Sequence, residues 1–149
     1  MVMLVLDTNI LEFATVSHND FKPEALELLF GIITVGQHCI AVDDEGKIVE
    51  REYKRHMKNN QVLITWWKQM GLRKKIKTRP GNGFQFGDLK EMDNCFACVS
   101  INTPDKILVS EDGHFDGKVK RLLNRRGVAI IKTDACNMLV CRNLAIDKI

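Results

Sequence analysis

A chain of 149 residues is long enough for one domain with a full hydrophobic core. Its 45% hydrophobic and 28% charged composition is that of a globular protein, and no apolar run approaches a membrane span. The net charge of +3 neither demands nor excludes nucleic acid, and five cysteines set among apolar residues read as reduced core thiols rather than a disulfide framework.

Val2–Leu6 is a short continuous apolar run ending at Asp7, the pattern of a central strand covered on both faces. No cationic leader or small-residue cleavage site accompanies it, so a cytoplasmic location without membrane contact is expected. Asp20 is placed to cap a helix with Pro23 in its first turn. Leu26, Leu29, Phe30 and Ile33 recur at helical spacing before Gly36. His38–Val42 is a second strand, and Asp43-Asp44-Glu45-Gly46 has turn chemistry. Helical patterns follow from Lys47 to about Asn59 and from Gln61 to Met70, the second ending near Gly71. Trp66 and Trp67 cannot share a helix face, so one belongs to the core and the other is partly exposed.

Arg73–Gly87 lacks a regular period, contains Pro80-Gly81-Asn82-Gly83 and reads as a long loop. Asp88 is placed to cap a helix whose apolar face is Leu89, Met92, Phe96 and Val99. Lys106–Ser110 is a strand, Val119–Arg126 a helix stopped by Gly127, and Val128–Ile131 the last clear strand. Strands alternating with helices predict a single α/β domain over 1–149 around a mostly parallel sheet.

In such a sheet ligands gather at the carboxyl ends of the strands. Asp7 ends the first strand, and Asp112 follows the strand Lys106–Ser110 by two residues. Asp93 shares a helix face with Phe96 and Val99, which aims a carboxylate at the core, a costly placement unless it is paired or metal-bound. Glu52, beside Tyr53, is the favoured fourth acid, with Glu50 as its competitor. Converging carboxylates suit a hard cation, Mg²⁺ or Mn²⁺, which takes oxygen ligands and can activate water toward a phosphodiester. Cys95 and Cys98 form one CxxC, but no second Cys or His pair has zinc spacing.

Val5-Leu6-Asp7-Thr8-Asn9-Ile10-Leu11 resembles the opening of PIN-domain nucleases. Asp93–Ser100 resembles their third-acid helix, Ile107–Phe115 their strand followed by Ser/Thr, any residue, then Asp, and Val49–Tyr53 their second-acid helix. The resemblance spans about residues 2 to 132. It implies a three-layer α/β/α sandwich, a divalent-metal site, and cleavage of single-stranded or structured RNA. Asp7, Glu52, Asp93 and Asp112 would carry over as catalytic and metal-site acids, with Asn9 and Ser110 supporting them by hydrogen bonding at the substrate edge. Many similar proteins are toxins paired with antitoxins, others process ribosomal RNA or act in RNA decay, and dimers are common among them.

Arg73, Lys74, Lys75, Lys77 and Arg79 precede Phe84-Gln85-Phe86. Basic charge offers phosphate contacts, with Lys74 and Lys75 the leading candidates, and exposed phenylalanines could stack on bases. The other reading anchors those rings in the core. His114 is placed to touch a phosphate or a metal-bound water, or to be a plain loop residue. Three functions compete: a metal-dependent endoribonuclease, a non-catalytic PIN-like module that binds RNA or a protein, and a phosphohydrolase using Asp7 as nucleophile. The last commonly needs a second Asp two residues on, where this chain has Asn9.

Overall fold

The computed structural model describes residues 1–142; the stretch 143–149, part of the expected single domain, lies outside the described residues. The protein is α/β, with an all-parallel sheet of five strands in the order β3-β2-β1-β4-β5. The strands are β1 (Met3–Leu6), β2 (Cys39–Asp43), β3 (Ile76–Arg79), β4 (Ile107–Val109) and β5 (Ala129–Ile131). The helices are α1 (Thr8–Phe13), α2 (Pro23–Thr34), α3 (Ile48–Met57), α4 (Gln61–Leu72), α5 (Glu91–Ile101), α6 (Lys118–Arg125) and α7 (Thr133–Val140).

The order places β1 at the centre, paired with β2 on one side (Met3 opposite Cys39) and β4 on the other (Leu6 opposite Val109). All of β1, β2 and β4 is buried, so both faces of these strands are covered. The chain winds outward from β1 to β2 to β3, then crosses back to β4 and β5. Right-handed crossovers in opposite directions put their helices on opposite faces, which makes the three-layer sandwich. α5 lies across β1, β2 and β4, while α2 packs against α7 and α4. Among the described residues no helix is long and apolar enough to cross a membrane.

Two tethers fix helices to this frame. The buried Tyr53 hydroxyl on α3 donates to the Leu6 carbonyl, the last of β1. The buried Trp66 indole on α4 donates to Leu29 O at 2.8 Å. Trp66 is thus the core member of the pair and Trp67 the half-buried one.

Several expectations are corrected. The 73–87 loop contains β3, which pairs in parallel with β2 from Ile40–Ile76 to Asp43–Arg79. Its Ile-Lys-Thr-Arg sequence is half-exposed at the sheet edge and carries no apolar run to betray it. Asp20 does not cap α2, which starts after Lys22 with Pro23 in its first turn and no side-chain cap. Asp88 does not cap α5, whose N-cap is Lys90. α7 lies beyond the last predicted element.

Candidate functional site

Strand order reverses direction at the β1–β4 junction, which opens a crevice beyond the carboxyl ends of those strands. The chain delivers acids there by continuing the ladder for one residue. Asp7 N donates to Val109 O at 2.9 Å, so Asp7 leaves β1 beside the end of β4. Ser110 N donates to Ile131 O at 3.0 Å, holding the β4 exit against β5.

Asp7 is 4% exposed. It is also the N-cap of α1, Oδ1 accepting from Thr8 N at 2.7 Å. Its other oxygen accepts from Ser110 Oγ at 2.6 Å, and the same hydroxyl accepts from Asp112 N at 2.9 Å. Ser110 thereby sets the spacing of two acids from two strands. Burial pushes the Asp7 carboxyl up to about 6, against the pull of the Ser110 and Thr8 hydrogen bonds, and the charges of Asp93 and Asp112 push it the same way.

Asp93, in the first turn of α5, is buried, and its pKa is raised chiefly by that burial, with His114 pulling it back. Asp112 caps the 3-10 turn Gly113–Phe115, accepting from His114 N at 2.9 Å. His114 Nδ1 lies 3.1 Å from Asp93 Oδ2 and 3.1 Å from Asp112 Oδ2. A mostly exposed imidazole therefore bridges the two carboxylates. Sequence reasoning placed His114 near the acids; its position two residues after Asp112 is the signal.

The remaining expected residues fall elsewhere or play other parts. Glu52 is held by Arg55 and by His56 at 3.2 Å, and His56 also reaches Glu12 at 3.4 Å. It lines a concavity with Ile48, Arg51, Arg55, Glu91 and Met92, the last two adjoining Asp93 on α5. Glu50 faces Lys54 at 3.7 Å. Asn9 accepts from Glu111 N at 3.4 Å, tying α1 to the β4 exit rather than bonding an acid.

Lys74 and Lys75 precede β3, at the amino edge of the parallel sheet. Lys75 Nζ donates to His38 O at 2.9 Å, just before β2 begins. A four-residue strand puts about 13 Å between the two edges, so these lysines do not face the aspartates. Phe86 is buried, its N–H donating to Asn94 Oδ1 at 2.9 Å, and Phe84 lies under the Arg126 guanidinium at 4.6 Å. The buried Phe86 anchors the loop, and the half-buried Phe84 packs beneath Arg126.

Cys95 and Cys98 are buried in α5; burial, with Asp43 alongside, pushes the Cys95 thiol up to about 12. Such thiols are inert core groups. Asp43 itself escaped sequence reasoning. It ends β2, is buried, and accepts from Ile48 N and Val49 N, both at 2.8 Å.

Among the described residues no three His, Cys, Asp or Glu side chains stand in ready cation-holding geometry. The donor chemistry nonetheless suits a hard cation. Three mutually repelling carboxylates supply only oxygen, and the Asp7 oxygens each keep a lone pair beyond their single hydrogen bond. Neither a family model, nor a curated protein, nor a solved structure matches this chain.

Proposed function

We propose that the crevice at the β1–β4 junction is the centre of a metal-dependent nuclease acting on RNA. The observation that supports this most is Asp7: a buried carboxyl pushed up to about 6, facing two further aspartates at the point where an open parallel sheet places ligands. Asp7, Asp93 and Asp112 would hold Mg²⁺ or Mn²⁺. The cation would supply Lewis acidity toward a phosphodiester and acidify the attacking water. Ser110 keeps Asp7 oriented and its ionised form hydrogen-bonded. The exposed His114 imidazole, in contact with Asp93 and Asp112, would give way to a cation held by those two carboxylates.

A non-catalytic RNA- or protein-binding module is the second reading, favoured by Glu52, whose carboxylate is already paired with Arg55 and contacted by His56. One assay separates the two. Single-stranded RNA incubated with the protein and Mn²⁺ is expected to be cut, with EDTA stopping the reaction and Asp7→Asn removing it. Binding without cleavage in Mn²⁺ supports the second reading. An antitoxin or a second copy of the chain as partner rests on the family resemblance alone.

A further inference from the structure

Beyond the aspartates, α3 and α4 form a groove of about 420 Å³ lined by Lys54, Arg55, Met57, Lys58, Ile64, Trp67 and Lys68. Its floor is apolar and its rim is cationic. Trp67 is the half-buried indole, supported edge-on by Tyr53 at 6.0 Å and tilted against Trp66 at 6.0 Å. Lys54 and Arg55 share their charge with Glu50 and Glu52, but Lys58 and Lys68 have no carboxylate partner among the described residues. Arg55 also borders the neighbouring concavity, whose Glu91 and Met92 lead directly into Asp93. Grooves along α3 thus run toward the first turn of α5, which carries an acid of the candidate centre.

We infer that this groove binds an unpaired stretch of a nucleic-acid strand, one base stacking on Trp67 and the flanking phosphates meeting Lys54, Lys58 and Lys68. Charge complementarity selects a polyanion. The rigid, supported indole between cations selects one with exposed flat bases, because base–aromatic stacking and phosphate contacts together define single-strand sites. A helical protein partner would need a wider apolar strip than Met57, Ile64 and Trp67 provide. The inference extends the nuclease reading by saying where the strand lies beyond the carboxylates. Its binding test needs no cleavage, so the two can fail separately.

The test is fluorescence anisotropy of a labelled single-stranded oligonucleotide on the full chain in EDTA, over a range of salt. The triple variant Lys54→Gln, Lys58→Gln, Lys68→Gln, confined to exposed side chains, is expected to lose about tenfold or more in affinity. Its log–log salt slope should fall by about 2, the share of three phosphate contacts on a single strand. Trp67→Phe should keep most of the binding and Trp67→Leu lose about tenfold. Should the leucine variant fail to fold, the lysine variant decides alone. An unchanged affinity and slope in the triple variant overturns the assignment. So does a wild type that ignores the strand but binds an acidic peptide through the same lysines, or that forms a dimer which the triple variant dissolves.

Discussion

Two aspartates end neighbouring parallel strands and are buried almost equally: Asp7 is 4% exposed and Asp43 is 3% exposed. Their surroundings differ. Asp43 accepts two backbone N–H groups at the start of α3, one on each oxygen, and faces the close-packed Gly81. A Cβ at residue 81 would stand 2.6 Å from Asp43 Cβ and 2.8 Å from Cys95 Sγ, so the neighbourhood is sealed. Asp7 accepts one N–H and one hydroxyl, and it looks toward Asp93 and Asp112. Both carboxylates carry one hydrogen bond on each oxygen, but Asp43 uses both on the start of α3 in a close-packed setting, whereas Asp7 has like-charged neighbours. That contrast, not burial, separates a fastening residue from a site residue.

The same isosteric change breaks the two in opposite ways. The largest expected effect is on activity: Asp7→Asn should lower Mn²⁺-dependent RNA cleavage by about a hundredfold or more. Asp43→Asn should leave cleavage per folded molecule within a few fold. Equal loss in both variants would erase the distinction.

Stability should move the other way. In Asp43→Asn the new amide NH₂ must face Ile48 N–H or Val49 N–H, donor against donor. That substitution is expected to cost about 2–4 kcal/mol in urea unfolding. In Asp7→Asn the carbonyl keeps Thr8 N–H, and the NH₂ meets the Ser110 hydroxyl, which can accept. Since the folded protein raises the Asp7 carboxyl from 3.8 to about 6, its ionisation costs about 3 kcal/mol at neutral pH as an upper figure. Asp7→Asn should therefore stabilise the fold by about 1–3 kcal/mol at pH 7.

Between the unfolded value of 3.8 and the folded value of about 6, the native state holds a proton that the unfolded chain releases. The contribution of Asp7 is therefore fully present below about pH 4, falls as pH rises through 6, and stays lost above. Subtracting the Asp7→Asn unfolding curve from that of the wild type should reveal this decline. A difference that is flat from about pH 4 to 7 would mean that Asp7 is no more costly to ionise than an exposed acid.

The smallest effect belongs to His114, whose side chain is 64% exposed. His114→Ala should change stability little and tighten Mn²⁺ binding about twofold to fivefold, by removing the group that competes for Asp93 and Asp112. Weaker Mn²⁺ binding would instead make the imidazole part of the metal's surroundings.

The legible parts of this molecule are those where local pattern and burial agree. Leu4-Val5-Leu6 and Ile107-Leu108-Val109 are apolar runs that can only be central strands, and the acids closing them were visible with them. β3 was not legible, because an edge strand of Ile-Lys-Thr-Arg is polar on its open side and looks like basic loop. Asp43 was hidden inside Asp43-Asp44-Glu45-Gly46, whose composition spells a turn while its first residue completes the strand. Lys74 and Lys75 were drawn to the site by charge alone, and charge does not say which end of a strand a residue precedes. Glu52 was drawn by its place beside Tyr53 and by resemblance, and its i+3 and i+4 neighbours Arg55 and His56, plain in the sequence, supply its partners.

In the proposed nuclease Asp7, Asp93 and Asp112 share one divalent cation. Anomalous diffraction from crystals soaked in Mn²⁺ tests this directly. The expected result is a peak about 2.2 Å from carboxylate oxygens of at least two of the three, with His114 displaced. A map with no peak in that crevice, His114 still bridging Asp93 and Asp112 at saturating Mn²⁺, would contradict it.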